Sequence, residues 1–125
     1  MGFVARDGHG HVLASGAAKN HGTLSVSIVE ALVFRWSLQV IMVLDYKHVQ
    51  FETDSLIVYN AWRDSKGQNP YLTPLISDCR TLAENFSSFS FTHVHIYLIS
   101  LYLLYLIFAL SRLRAVPGLV GYFSI

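Results

Sequence analysis

The chain predicts an α/β domain, a mixed sheet with flanking helices, on three observations. Strand-like and helix-like stretches follow one another in the order β-β-α-β-α-α-β, and such alternation is the mark of an α/β sheet. The run His48-Val-Gln-Phe-Glu-Thr-Asp-Ser-Leu56 reads as a strand that ends on an acid and turns at once into a helix. A hairpin with an Asp-Gly turn opens the sequence.

The elements are justified in order. Residues 2–17 form the hairpin: Phe3, Val4 and Ala5 precede Asp7-Gly-His-Gly10, and Val12, Leu13 and Ala14 follow, with glycine taking positive φ at no steric cost. Residues 18–22 are polar loop. Residues 23–44 predict one long helix whose charged side chains are Glu30 and Arg35, and a helix apolar on most of its circumference is a buried one. Its length and lack of breakers outweigh its many β-branched residues. In the strand at 48–54, Val49, Phe51 and Thr53 alternate with His48, Gln50, Glu52 and Asp54, so the two faces differ. Ser55 is a good N-cap for a short helix over 55–64. After the loop Ser65-Lys-Gly-Gln-Asn-Pro70, Thr73-Pro74 predicts another helix start, with proline at the first helical position. Leu75, Cys79, Leu82 and Phe86 recur at i, i+4, i+7 and i+11 as its apolar stripe. Residues 89–96 read as a last strand.

Length and composition set bounds. The 125 residues suffice for one domain with one core. Hydrophobic residues make up 53% and charged residues 14%, more apolar than a usual soluble domain, and the excess gathers after residue 95. A net charge of +1 gives no basic stripe of the kind that marks a nucleic-acid binder, though it does not exclude one. The single cysteine, Cys79, supports neither an internal disulfide nor a zinc cluster and points to a reducing, intracellular setting, nucleus or cytoplasm. The N-terminal residues lack the basic and apolar regions of a secretory signal. Arg6 stands where a myristoylation motif wants Ser or Thr.

Asp54 is the sharpest candidate for chemistry, because ligands and metals collect at the carboxyl ends of strands in open α/β sheets. Glu30, on the preceding helix, is the second. The plain readings stand beside these: a lone Glu in an apolar helix often reaches solvent, and an Asp before Ser is common turn chemistry. His48, His93 and His95 read as solvated or packed histidines, Trp36 and Trp62 as core, and Cys79 as an inert core thiol.

Four motifs in order carry a resemblance. Gly2-Phe-Val-Ala-Arg-Asp-Gly-His-Gly-His-Val-Leu-Ala14, Glu30-Ala-Leu-Val-Phe-Arg-Trp-Ser-Leu38, Phe51-Glu-Thr-Asp-Ser-Leu56, and Leu75-Ile-Ser-Asp-Cys79 with Phe89-Ser-Phe-Thr-His-Val94 resemble the ribonuclease H-like domain over roughly residues 2–95. The likeness is to the plant, retrotransposon-derived branch called reverse-transcriptase-like. The resemblance implies hydrolysis of the RNA strand of an RNA–DNA hybrid with two Mg²⁺ ions. It also implies a first strand carrying an Asp between the hairpin and the strand at 48–54, a helix Glu, a fourth-strand Asp, and a last Asp or His after the fifth strand. Glu30 and Asp54 match the second and third of these as metal ligands. The first strand would precede Gly2 and is missing from this sequence, which leaves an inner strand edge open to aggregation. For the last ligand, Ala109-Leu-Ser-Arg-Leu113 resumes the family pattern and puts Phe108 at that position, and no Asp or Glu follows Glu84.

Two ions about 3.5–4 Å apart must clamp attacking and leaving oxygens. Mg²⁺ takes hard oxygen ligands, so several carboxylates must converge, whereas imidazole suits softer metals. Glu30 and Asp54 supply two, so the expectation is a ribonuclease H-type domain that has lost the family activity.

The division expected is a partial domain at 1–95 and an aberrant, apolar C-terminal segment at 96–125. The run 96–110 carries Tyr97, Ser100, Tyr102 and Tyr105 and no charge. As a helix it would reach about 22 Å, short of a hydrocarbon core about 30 Å thick. It reads as foreign sequence breaking a recognisable pattern, for example a retained intron, and sequencing the transcript tests that. A non-catalytic nucleic-acid-binding or protein-interaction remnant, and a small tail-anchored membrane protein, remain as alternatives. The sequence leaves the oligomeric state open.

Overall fold

The structure, a computed structural model, describes residues 1–9, 11–17, 19, 22–64, 69–94 and 121–123. The expectations for 96–110, Phe108 and His95 lie outside these residues. Among the described residues eight elements follow in order: β1 (Gly2–Arg6), β2 (Val12–Ala17), α1 (Val26–Val43), β3 (His48–Thr53), α2 (Leu56–Arg63), α3 (Leu72–Ala83), β4 (Ser88–His93) and β5 (Gly121–Phe123).

β1 and β2 form the expected antiparallel hairpin, with a bulge where the register shifts between Ala5 and Arg6. Its turn is closed by Asp7, whose Oδ1 accepts from the backbone N–H groups of His9 and His11, both at 2.9 Å. Those N–H groups favour the charged carboxylate and hold Asp7 below the usual aspartate range, the His11 N–H most strongly and against a smaller opposing cost of lost hydration. Gly16 in β2 has a steric reason: a Cβ there would run into the rings of Trp36 and Phe3, which meet edge to face at 5.0 Å.

α1 is capped by Ser25, whose hydroxyl accepts from the Ile28 N–H. It buries Val29, Glu30, Ala31, Val33, Phe34, Ser37, Leu38 and Ile41. By length and hydropathy α1 could cross a membrane, but a core helix passes the same test, and these buried residues explain its apolar composition. Leu44 and Asp45 end it. Asp45 takes a φ of 60°, the left-handed conformation in which helices commonly stop and which Asp tolerates better than most residues.

β3 and β4 pair in parallel, with His48 opposite Ser88 and Thr53 opposite His93. One face of this pair carries the core: Phe34 lies 4.5 Å from Phe51 and 4.7 Å from Phe91 between ring centroids, with Trp62 packed against Phe34, Phe89 and Phe91. The Arg35–Asp78 ion pair at 3.1 Å links α1 to α3. Arg80 donates to the carbonyls of Ala61 and Trp62 and so ties α3 to α2.

Three expectations need correction. α3 starts at Leu72, so Pro74 is its third residue; the first-turn N–H groups have no helical partner, so proline fits there as well. Asn69 provides the cap, its Oδ1 accepting from the N–H groups of Tyr71 and Leu72. The buried stripe is Leu72, Ile76, Cys79 and Ala83, continued by Phe86, while Leu75 and Leu82 flank it half-buried. Finally, the edge expected to be open is occupied: β5 pairs antiparallel with β1, Gly2 opposite Phe123 and Val4 opposite Gly121, and also lies against β3. The hydrogen-bonded order is β2-β1-β5 in one sheet and β3-β4 in the other.

Candidate acidic site at the carboxyl ends of the parallel strands

The parallel pairing of β3 with β4 brings two ends, distant in sequence, to one place. The Val94 N–H donates to the Thr53 carbonyl at 2.8 Å, extending the ladder past the last paired residues. Asp54 follows at the turn, half-buried, with Oδ1 sealed from solvent. The turn is fixed on both sides. The Ser55 N–H donates to Thr53 Oγ1 at 3.1 Å, and Ser55 Oγ accepts from the Val58 N–H at 3.2 Å, which starts α2. The expected strand, acid, cap and helix therefore stand in that order.

His93, exposed at the end of β4, sets Nε2 3.3 Å from the Asp54 carbonyl, and its ring lies 5.8 Å from that of Tyr59. His48, at the other end of the ladder, is exposed and bonds Ser88 Oγ through Nδ1 at 2.8 Å. It belongs to the surface, as its sequence context suggests.

Glu30 is 7% exposed, so the plain reading of a Glu that reaches solvent does not describe it. It stands one helical turn before Phe34, whose ring packs on Phe51 of β3 and Phe91 of β4. Glu30 thus lies on a helix that touches, through Phe34 and Phe51, the strand that Asp54 follows. Among the described residues no group of three or more His, Cys, Asp or Glu side chains could hold a metal ion. The family's Mg²⁺ pair asks for more converging carboxylates than these two acids supply, so the described residues do not fit a two-ion centre.

One acid escaped the sequence reading. Glu52 alternates with Val49 and Phe51 and was expected on a polar strand face, yet it is 8% exposed. Burial pushes its carboxyl above the usual range, and the nearby Arg6 guanidinium, itself buried, pulls partly the other way. Two-residue periodicity separates the strand's faces but does not say whether the second is covered. The expected core aromatics divide as well: Trp62 joins the aromatic cluster, whereas Trp36 is 39% exposed and covers Phe3 from outside.

The comparisons with known proteins agree with this architecture. The model of the reverse transcriptase-like family matches residues 1–96. No curated protein sequence matches the chain. Among solved structures, the chain is similar to the RNase H1 of the halophilic archaeon Halobacterium salinarum NRC-1, at 22% identity with a TM-score of 0.68, over 75% of this chain and 71% of that one. It is also similar to the N-terminal RNase H domain of a Mycobacterium tuberculosis protein, solved as a fusion with maltose-binding protein, at 23% identity with a TM-score of 0.65, over 74% of this chain and 72% of that one. The fold is that of an RNase H-like mixed sheet, and the chain belongs to the reverse transcriptase-like family of RNase H-like domains.

Proposed function

We propose that this domain engages nucleic acid of the RNA–DNA hybrid class and does not cleave it, with Glu30 and Asp54 as the inherited members of the family's acidic site. The observation that carries this reading is the composition of that site. An acid at a strand end and a buried acid on the long helix match the family's pattern by resemblance of sequence, while among the described residues no group of three or more His, Cys, Asp or Glu could hold a metal ion. Two carboxylates support at most one weakly held Mg²⁺, and hydrolysis through an ion pair needs both ions to stabilise opposite oxygens of one displacement. The residues present serve structure: Asp54 sits on the turn that Thr53 and Ser55 fix, and Glu30 lies on the core stripe of α1. The fold's likeness to RNase H domains supports hybrid or other nucleic acid as the partner.

With a net charge of +1, binding should be weak and only modestly salt-dependent, because few phosphate counterions are displaced. A labelled RNA–DNA hybrid, incubated with the full chain in Mg²⁺ or Mn²⁺, should remain intact while its fluorescence anisotropy rises with protein. Cleavage that disappears in both Glu30→Gln and Asp54→Asn would make the domain a working nuclease and end the proposal. Unchanged anisotropy at high protein concentration would remove nucleic acid as the partner.

A further inference from the structure

The turn between β1 and β2 carries side chains that the acidic site does not use. Asp7 organises two histidines there. Its Oδ1 accepts from the backbone N–H groups of His9 and His11, and its Oδ2 lies 3.1 Å from His11 Nδ1. An ionised carboxylate can only accept, so Nδ1 of His11 carries the proton, and in the neutral ring Nε2 keeps its lone pair. Both histidines are exposed, and their ring centroids stand 6.3 Å apart.

We propose that this turn is a surface site for one divalent cation of the Zn²⁺ class, bound by the imidazoles of His9 and His11, with Asp7 as the positioning residue behind His11. Two imidazoles bonded to one ion at about 2.0–2.1 Å per nitrogen have ring centres about 5–6.5 Å apart, according to the bond angle. The separation here lies in that span, and exposed rings turn freely about their side-chain bonds. A ligating histidine usually gives its other ring N–H to a carboxylate, which fixes the tautomer and raises the basicity of the ligand. Asp7 does this for His11, and its charge favours a cation. It stands behind the ring and is not a third ligand, in keeping with the absence, among the described residues, of any group of three that could hold a metal ion. Water completes the coordination. Imidazole suits zinc, copper and nickel and not the hard Mg²⁺, so this site is separate in chemistry from Glu30 and Asp54.

The test titrates ZnCl₂ into the full chain, followed by calorimetry and by the histidine ring signals in NMR. The parent should take up one Zn²⁺ at the turn, moving the His9 and His11 signals together, and about a hundredfold excess of Mg²⁺ should not displace it. Asp7→Asn keeps an Oδ1 acceptor for the turn but removes the charge, and it should weaken binding about tenfold. His9→Ala and His11→Ala should each weaken it by at least as much. Amide protection of β1 and β2 should be the same in all three variants, which separates a lost ligand from a lost turn. His48→Ala should bind as the parent does. The proposal falls if Zn²⁺ binding does not saturate, if either His9→Ala or His11→Ala binds like the parent, or if His48→Ala weakens binding as much as they do.

Discussion

Cys79 and Glu52 show how far burial governs single residues. Burial pushes the Cys79 thiol up to about 12, with the Arg35 charge lowering it and Asp78 raising it by less. The thiolate is the reactive form, so Cys79 should not react with a thiol reagent at pH 8 in the native protein and should react once the chain is unfolded. Rapid labelling of native protein would contradict its core placement. For Glu52 the sign runs the other way from most carboxylates. Its native pKa is raised, so its contribution to stability is fully present below the usual glutamate value of about 4.3 and is lost as pH rises through the native value. Glu52→Gln should therefore raise the melting temperature at pH 7 and make no difference at pH 3.5. Thermal melts at the two pH values check both halves of that statement. Cys79 was legible as a core thiol from its place on an apolar stripe. Glu52 was not, because its partner Arg6 lies forty-six positions away on another strand and alternation carries no information about that distance.

Among the elements, one helix start was legible and another was not. Ser55 and the turn beyond Asp54 behave as their chemistry demands. α3 shows the opposite case: Thr-Pro looks like a start, but Asn69 caps the helix earlier, since an Asx side chain can reach two backbone N–H groups at once. The C-terminal end of α1 makes a quantitative prediction. Asp45 holds a left-handed conformation that a β-branched side chain resists, so Asp45→Val should cost about 1–2 kcal/mol. Asp45→Gly should be close to neutral, because relief of the backbone offsets loss of the exposed 2.7 Å ion pair with Lys47. Urea denaturation of the two variants measures the difference, and equal stabilities would refute the backbone argument.

For the whole molecule, stability centres on the aromatic cluster under α1. Phe34 is fully buried and contacts Phe51, Phe91 and Trp62 from three other elements. Phe34→Ala should cost about 3–5 kcal/mol, the usual penalty for a large ring lost from a packed core, read as a fall in the urea midpoint. A loss below about 1 kcal/mol would mean the cluster is not the centre of the fold. This level was partly legible: alternating strands and helices gave the class, and the ordered motifs gave the family. The strand supplied by Gly121–Phe123 was not, because its neighbours Gly2–Val4 are remote in sequence and a three-residue stretch carries no period of its own.

That remoteness bears on how the polypeptide is made. β1 leaves the ribosome long before Gly121–Phe123, the strand that pairs with its inner flank. Closing so wide a loop brings an entropic cost that grows only with the logarithm of its span, but during translation the delay is one of time. Through that interval the inner edge of β1 lacks the partner it has in the fold, and slowing elongation downstream of α3 should lower the soluble yield.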